Sequence, residues 1–324
     1  MSIPLRNFGK TGVQISALGL GGHHLGGAKD EKTAIEIVRR ALDGGITFYD
    51  NAWEYNRGKT ESWLGLGLKG WRDKIFLMTK VCTHGRDATL ATQMLEQSLR
   101  RLQTDYLDLW QIHGVVFQND PELFIRPGGA AEALRKAKEQ GKVRFVGFIG
   151  HKDPDVHLAM LNIGFPFDSV QMPLNAFDAT YSMSFEQKVL PVLNQRGIAP
   201  LGMKPISGHG DPVQMGVLTA REALRYAMSL PVACTISGAE ELHIIEQNLE
   251  IAQNFVPMSG LTFAKVFTSP LHRVMRTCIV TSSNGTTVNT KGARHRKYSR
   301  SDRTGNYSAT LPRRRTAAAS RHAG

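Results

Sequence analysis

Eight short apolar runs, each followed by a helical pattern, set the strongest limit on what this chain can fold into. The runs are Ala17–Gly21, Ile46–Tyr49, Ile75–Thr79, Leu107–Ile112, Val143–Ile149, Ser169–Met172, Ile198–Met203 and Val232–Ile236. Their near-continuous apolar character predicts parallel strands covered on both faces. Helix signals lie between them. Asp30 can cap a helix with the stripe Ala34, Val38, Ala41 and Leu42, ended by Gly44-Gly45. Leu95, Leu99 and Leu102 repeat at helical spacing, and Leu242, Ile245 and Leu249 give a last stripe. Asp153-Pro154 combines an N-cap with proline at the first helical position. Eight strand–helix units in about 240 residues predict an α/β fold, the (β/α)8 TIM barrel. An open doubly wound sheet is the alternative that pattern alone leaves. Ahead of the barrel, Leu5–Phe8 and Val13–Ser16 around Lys10-Thr11-Gly12 predict an N-terminal β-hairpin.

Charge divides the chain at one point. Its 324 residues carry 40 Lys+Arg against 28 Asp+Glu, a formal net charge of +12. From Pro257 to Gly324 there are 13 bases and one acid, Asp302, so residues 1–256 balance at 27 of each. The basic character belongs to the last segment alone, which argues against reading the whole protein as a nucleic-acid binder. Residues 1–256 predict the barrel. Residues 257–324, Ser/Thr/Arg-rich and without helical or strand period, predict a disordered basic tail. A reading frame shifted near codon 256 would produce such an unpatterned mixture, and an evolved basic arm would look similar. Arg313-Arg314-Arg315 reads as a solvated charge run.

No run reaches the roughly 18–20 apolar residues of a membrane helix, and Met1–Lys10 lacks the apolar stretch of a signal peptide. Cys82, Cys234 and Cys278 are odd in number and widely spaced. That argues against a disulfide framework or a cysteine zinc site, and for a reducing, cytoplasmic compartment.

Barrel enzymes place reactive groups at the carboxyl ends of their strands. Asp50 ends the second run, Lys80 the third and His113 the fourth, with Tyr55 in the loop after Asp50. Singly, each has an ordinary structural reading as a cap, a solvated strand end, a rim aromatic or a hydrogen-bonded histidine. Together they make a proton-donor device. A buried ammonium beside a phenol favours the phenolate, and a carboxylate opposite holds that ammonium in place. Lowering the pKa by two units takes about 3 kcal/mol, more than the ~1 kcal/mol of an exposed pair. The expected site is therefore partly desolvated, with a depressed Tyr55 pKa.

Gly-Lys-Thr-Gly at Gly9–Gly12, Leu18-Gly19-Leu20-Gly21, and the set Asp50, Tyr55, Lys80 and His113 resemble the aldo-keto reductases, particularly bacterial members. Leu102–His113, Gly141–Gly147 and Ala199–Lys204 extend the resemblance over about residues 3–256. It implies a (β/α)8 barrel that reduces a small-molecule aldehyde or ketone, with NADP(H) as cofactor and NAD(H) as the alternative. By that resemblance Tyr55 is the general acid, Lys80 and Asp50 tune it, and His113 orients the carbonyl. A cofactor-binding regulatory subunit with little turnover is the second role the family takes.

On the cofactor side the resemblance implies Gln171 for the carboxamide and Met203 where an aromatic usually stacks on nicotinamide, with Lys204 beside it. Pro205, Ile206, Ser207 and Gly208 correspond to the loop over the diphosphate, and Ser237, Gly238, Gln247 and Asn248 to the adenine end. Two departures stand out. The family's Ser-Asn pair reads Ile149-Gly150, followed by His151-Lys152, and Gly238 and Ile244 replace the basic residues that grip a 2′-phosphate. Adjacent His23 and His24 would diverge in a strand and are expected to line the pocket rather than bind metal. Cys82, two residues past Lys80, reads as wall lining.

Overall fold

The computed structural model of the chain describes residues 2–81, 86–181 and 183–259. Cys82, Cys278 and the expected tail beyond Ser259 lie outside them. Strands β1 (Leu5–Asn7) and β2 (Gln14–Ser16) form an antiparallel hairpin. Eight parallel strands follow: β3 (Leu18–Gly21), β4 (Phe48–Asp50), β5 (Phe76–Val81), β6 (Leu107–Ile112), β7 (Val143–Ile149), β8 (Ser169–Pro173), β9 (Ala199–Met203) and β10 (Cys234–Gly238). They pair in chain order, and β10 pairs back onto β3 to close the ring. The predicted TIM barrel with its N-terminal hairpin is the observed fold, and the open sheet is excluded by closure.

The local signals act as their chemistry requires. The Asp30 side chain accepts from the Thr33 N–H to start the helix Glu31–Asp43, which buries Ala34, Val38, Ala41 and Leu42 and stops at Gly44. Asp153 caps Pro154–Leu161 in the same way, with Pro154 at its first position.

Side chains alternate along each strand, so every second residue enters the barrel. Phe48, Phe76, Met78, Leu109, Leu201, Cys234 and Ile236 form one interior cluster with Phe8 and Ile15 of the hairpin segment, which plugs the amino-terminal end. The same parity carries Asp50, Lys80, Gln111 and Gln171 inward one step higher; the Gln111 amide donates to Ser169 Oγ at 3.0 Å across the interior. Where strands approach most closely only glycine fits. A Cβ on Gly147 would stand 2.3 Å from the Ser169 carbonyl oxygen.

The chain after the last helix (Leu242–Gln253) stays attached to the barrel through Met258. Arg225 donates to the Val256 carbonyl, the Met258 N–H donates to Ser229 Oγ at 2.8 Å, and Met258 is buried. Among the described residues, no helix is long and apolar enough to cross a membrane.

Candidate active site

β4, β5 and β6 are neighbours in the ring, and their carboxyl ends meet at one rim. Asp50 is the last residue of β4, Lys80 the penultimate residue of β5, and His113 the first residue past β6. Lys80 is fully buried, its ammonium paired with the Asp50 carboxylate and donating to the Asn51 carbonyl at 2.8 Å. Its Nζ lies 5.2 Å from the Tyr55 ring centroid. The Tyr55 ring is edge-on to His113 at 5.7 Å and to His23 at 5.1 Å. The four sequence-predicted catalytic side chains are thus brought together.

The loop that presents Tyr55 is held from behind. The Trp53 N–H donates to the Lys80 carbonyl at 3.0 Å, and Arg101 Nη1 reaches both the Trp53 carbonyl and Glu61 Oε2. Glu61 is itself buried and accepts from Thr79 Oγ1 at 2.7 Å. Directly after Tyr55 the backbone runs left-handed through Asn56 (φ 50°), Arg57 (φ 59°) and Gly58 (φ 83°). Non-glycine residues at such angles carry strain of about 1–2 kcal/mol each. Asn56 offsets part of it by donating to the His23 carbonyl at 3.1 Å and to Thr60 Oγ1 at 3.0 Å.

Electrostatics at Tyr55 differ from the expected depression. Burial, then the carboxylates of Asp50 and Glu54, push its pKa well above that of an ordinary phenol. Desolvation of the phenolate outweighs the ammonium because that ammonium is already neutralised by Asp50. Sequence reasoning misses Glu54. Its carboxylate is in contact with His113 Nδ1, but that nitrogen and the other carboxylate oxygen are both buried without a hydrogen-bond partner. The only signal in the chain is an acid immediately before the tyrosine.

His23 and His24 do line this rim, but on a single helical turn, Gly22–Leu25, rather than in a strand. Their rings lie 5.3 Å apart instead of diverging. Gly21 ends β3 in an extended conformation, and the chain coils immediately after it. Among the described residues no group of three or more His, Cys, Asp or Glu side chains could hold a metal ion.

A second set of residues lines the rim from β7 to β10. Gln171 on β8 is buried, and its Oε1 has no hydrogen-bond partner. His151, just past β7, likewise leaves Nδ1 buried and unpartnered. Burial, with the nearby charges of Lys204, His113 and Lys80, lowers its pKa to about 3 and keeps the imidazole neutral. Met203 ends β9, and the following loop is left-handed at Lys204, Ser207 and Gly208. Pro205 and Ile206 lie between them. Such turns aim successive backbone N–H groups together as anion-binding nests. Ser237 and Gly238 end β10. Asn248 is buried and donates to Ser237 Oγ at 3.2 Å, whereas Gln247 is exposed. A Cβ at Gly238 would stand 2.4 Å from His24 Nδ1, so this position cannot carry a basic side chain without displacing His24.

Residues 17–210, more than half the chain, match the pattern of the Aldo/keto reductase family. The chain belongs to this family. It is 33% identical over 207 residues to the aldo-keto reductase YhdN of Bacillus subtilis, covering 59% of this chain and 58% of that protein. It is 29% identical over 261 residues to L-galactose dehydrogenase of Arabidopsis thaliana, covering 78% of each. The structure superposes on the holo form of aldo-keto reductase AKR11C1 from Bacillus halodurans with a TM-score of 0.69 and 24% identity, covering 84% of this chain and 99% of that one. An aldo-keto reductase from Klebsiella pneumoniae, solved in complex with NADPH, gives a TM-score of 0.68 at 23% identity over 85% of this chain and 96% of its own. At those identities the structural likeness speaks for the fold.

Gln171 Oε1 and His151 Nδ1 are two buried acceptors without partners on this side of the rim. A carboxamide offers N–H donors that Gln171 Oε1 and the neutral His151 Nδ1 can accept, the Nδ1 as the unprotonated tautomer position.

Proposed function

We propose that this chain is an NAD(P)H-dependent reductase of aldehyde or ketone carbonyls, with Tyr55 as its general acid. The observation that carries the reading is the burial of Lys80 between Asp50 and the Tyr55 ring at the barrel mouth. A nicotinamide, when bound, supplies the reducing equivalent to the carbonyl carbon. Every other part of the task falls to side chains of this chain. With its pKa raised, Tyr55 keeps its proton throughout the neutral range and holds it ready for the carbonyl oxygen. An alkoxide is a stronger base than a phenolate, so the transfer is downhill once charge develops on that oxygen. Lys80 then faces the phenolate left behind, and Asp50 keeps the ammonium in place between turnovers. His113, edge-on to Tyr55, is the second polar group able to meet the same oxygen.

The residues that would hold the cofactor are Gln171 and His151 at the carboxamide, Met203 against the ring, and Lys204, Pro205, Ile206, Ser207 and Gly208 at the diphosphate. Ser237, Gly238, Gln247 and Asn248 serve the adenine end. Neither Gly238 nor Ile244 can grip a 2′-phosphate. Charge-assisted contacts are the strong ones, so NADPH is expected to bind less than about a thousandfold, ~4 kcal/mol, more tightly than NADH. Residues 1–256 form the catalytic unit in this reading, acting on small molecules in a reducing, cytoplasmic compartment; the described free cysteine, Cys234, is buried. The test is a cofactor-oxidation screen with NADPH and NADH over a panel of aldehydes and ketones. Turnover with at least one carbonyl is expected. Cofactor binding without turnover across the panel would overturn the reductase reading in favour of a regulatory subunit.

A further inference from the structure

A buried ion pair ties down the loop that carries His113, and neither the proton donor nor the cofactor residues use it. Arg86 and Asp120 are both buried, Arg86 between β5 and the helix Ala88–Leu102, and Asp120 at the start of the helix Asp120–Ile125. The Arg86 guanidinium meets Asp120 Oδ1 through Nε at 2.9 Å and through Nη2 at 2.9 Å. It also donates from Nη1 to the His113 carbonyl at 2.6 Å and from Nη2 to the Gly114 carbonyl at 2.7 Å. Asp120 Oδ2 accepts from the Val116 N–H at 2.7 Å and the Phe117 N–H at 2.8 Å. The neighbouring strands take the remaining ties: the His113 N–H donates to the Val81 carbonyl at 2.9 Å, and the Val115 N–H to the Ile149 carbonyl at 2.8 Å. Both peptide groups that flank the His113 Cα are therefore held, and its ring stands edge-on to Tyr55 at 5.7 Å.

Desolvation offsets much of the attraction within a buried ion pair, and well-packed apolar residues often serve stability as well. What this pair adds is direction. A guanidinium is a rigid fork of five donors, which a single ammonium on a flexible stem does not reproduce. Here the fork reaches a carboxylate and two successive carbonyls at once, and the carboxylate's free oxygen gathers the two N–H groups that follow. We propose that Arg86, anchored by Asp120, is a positioning residue for carbonyl reduction, holding the loop after β6 so that the His113 ring meets the same substrate oxygen as Tyr55. This inference rests on the reductase reading given above. Arg86 acts through the backbone of His113 and Gly114 and touches no reacting atom. Misplacing a reacting group by about 1 Å can cost a hundredfold in rate, so loss of the fork is read in kcat rather than in cofactor binding.

Arg86→Gly is the sharpest test, because the backbone at Arg86 is left-handed (φ 59°) and glycine adopts that conformation without strain. At a temperature where circular dichroism shows the variant folded, kcat for a carbonyl substrate is expected to fall about tenfold to a hundredfold. The NADPH dissociation constant, measured by fluorescence in the absence of substrate, is expected to stay within about twofold of wild type, since the cofactor residues lie on other strands. The second readout is the His113 ring Cε1 resonance in the cofactor-free protein labelled with 13C at histidine. It is expected to move in Arg86→Gly, whereas a role in stability alone would leave the folded-state signal in place. Arg86→Lys keeps the charge and loses the fork, and serves as the test where Arg86→Gly does not fold. It is expected to lose about threefold to tenfold in kcat and to move the same resonance. A folded variant with wild-type kcat, or with an unmoved His113 resonance, would overturn the proposal. If no carbonyl is reduced by the wild type, the reductase reading fails, yet the resonance still decides whether Arg86 sets the His113 ring.

Discussion

At the amino-terminal end of the barrel, Phe76 stacks against Phe48 at 5.3 Å and Phe145 at 6.1 Å and meets Phe8 tilted at 4.8 Å. One step up the same strands, the same alternation delivers Asp50, Lys80 and Gln111. The ends also treat buried polar atoms differently. Low on the wall, buried Asp108 accepts from the Leu77 N–H and pairs with both Arg72 at 2.8 Å and Arg144 at 2.6 Å. At the rim, Asn51 Nδ2, Gln171 Oε1 and His151 Nδ1 are buried without partners. Each such atom costs about 1–3 kcal/mol, and the left-handed Asn56 and Arg57 add backbone strain. Unpaired atoms and strain concentrate where ligands act. The lower end supplies stability, and the upper end spends part of it on readiness to bind.

The contrast breaks most sharply at Tyr55. Tyr55→Phe is expected to lower carbonyl reduction about 10²–10⁴-fold, the usual contribution of a general acid. Cofactor affinity and thermal midpoint should stay close to wild type, since the ring remains. Activity above about a tenth of wild type in a steady-state assay would move the proton source elsewhere.

The mirror-image change is Phe76→Ala at the lower end. Deleting a buried phenylalanine typically costs about 3–5 kcal/mol, and Phe76 is in contact with three other rings. Urea unfolding should show this loss, with kcat/KM per folded molecule unchanged. A large activity loss without a stability loss would mean that the two ends are not independent.

How much of this contrast was legible beforehand depended on how local each cause is. All eight strands were readable because a strand covered on both faces is an apolar run, and Asp30 was readable because a cap acts within three residues. The tetrad was readable because three strand ends and one loop carry it. The contact between Glu54 and His113 was not, because it joins two loops that only the barrel's closure brings together. The direction of the Tyr55 pKa is not legible in the sequence, because Asp50 both holds Lys80 and offsets its charge, a balance set by burial. The coil at His23-His24 was missed since Gly21 is equally compatible with a continuing strand.

His157 lies between these extremes, under the rim. It is fully buried between Phe148 at 5.2 Å and Phe185 at 4.7 Å, and a Cβ on Gly150 would stand 2.4 Å from its Cε1. Burial is the main cause that lowers its pKa from 6.5 to about 4. The unfolded chain therefore binds a proton in this window that the folded chain refuses, so stability rises with pH. The contribution is complete above pH 6.5 and lost as pH falls toward 4, for a total of about 3 kcal/mol. Unfolding measured at pH 7 and pH 5 should show part of this difference, and His157→Phe should reduce it. An equal difference in both proteins would assign the acid sensitivity to other groups.

The smallest effect tests the strain itself. Arg57 is exposed, and its φ of 59° is one that glycine adopts without cost. Arg57→Gly removes about 1–2 kcal/mol of strain, offset by the roughly 0.4–1 kcal/mol by which a glycine loosens the unfolded chain. The net gain is about 0.5–1 kcal/mol, or some 1–3 °C in Tm for a domain of this size. Asn56 is the wrong residue to change, because its side chain ties the turn to His23 and Thr60. If the left-handed turn holds Tyr55 in place, the same variant should lose a few-fold in kcat while Tm rises. A lower Tm would show that Arg57 stabilises the turn rather than straining it, and the rim would then owe its cost to the unpaired atoms alone.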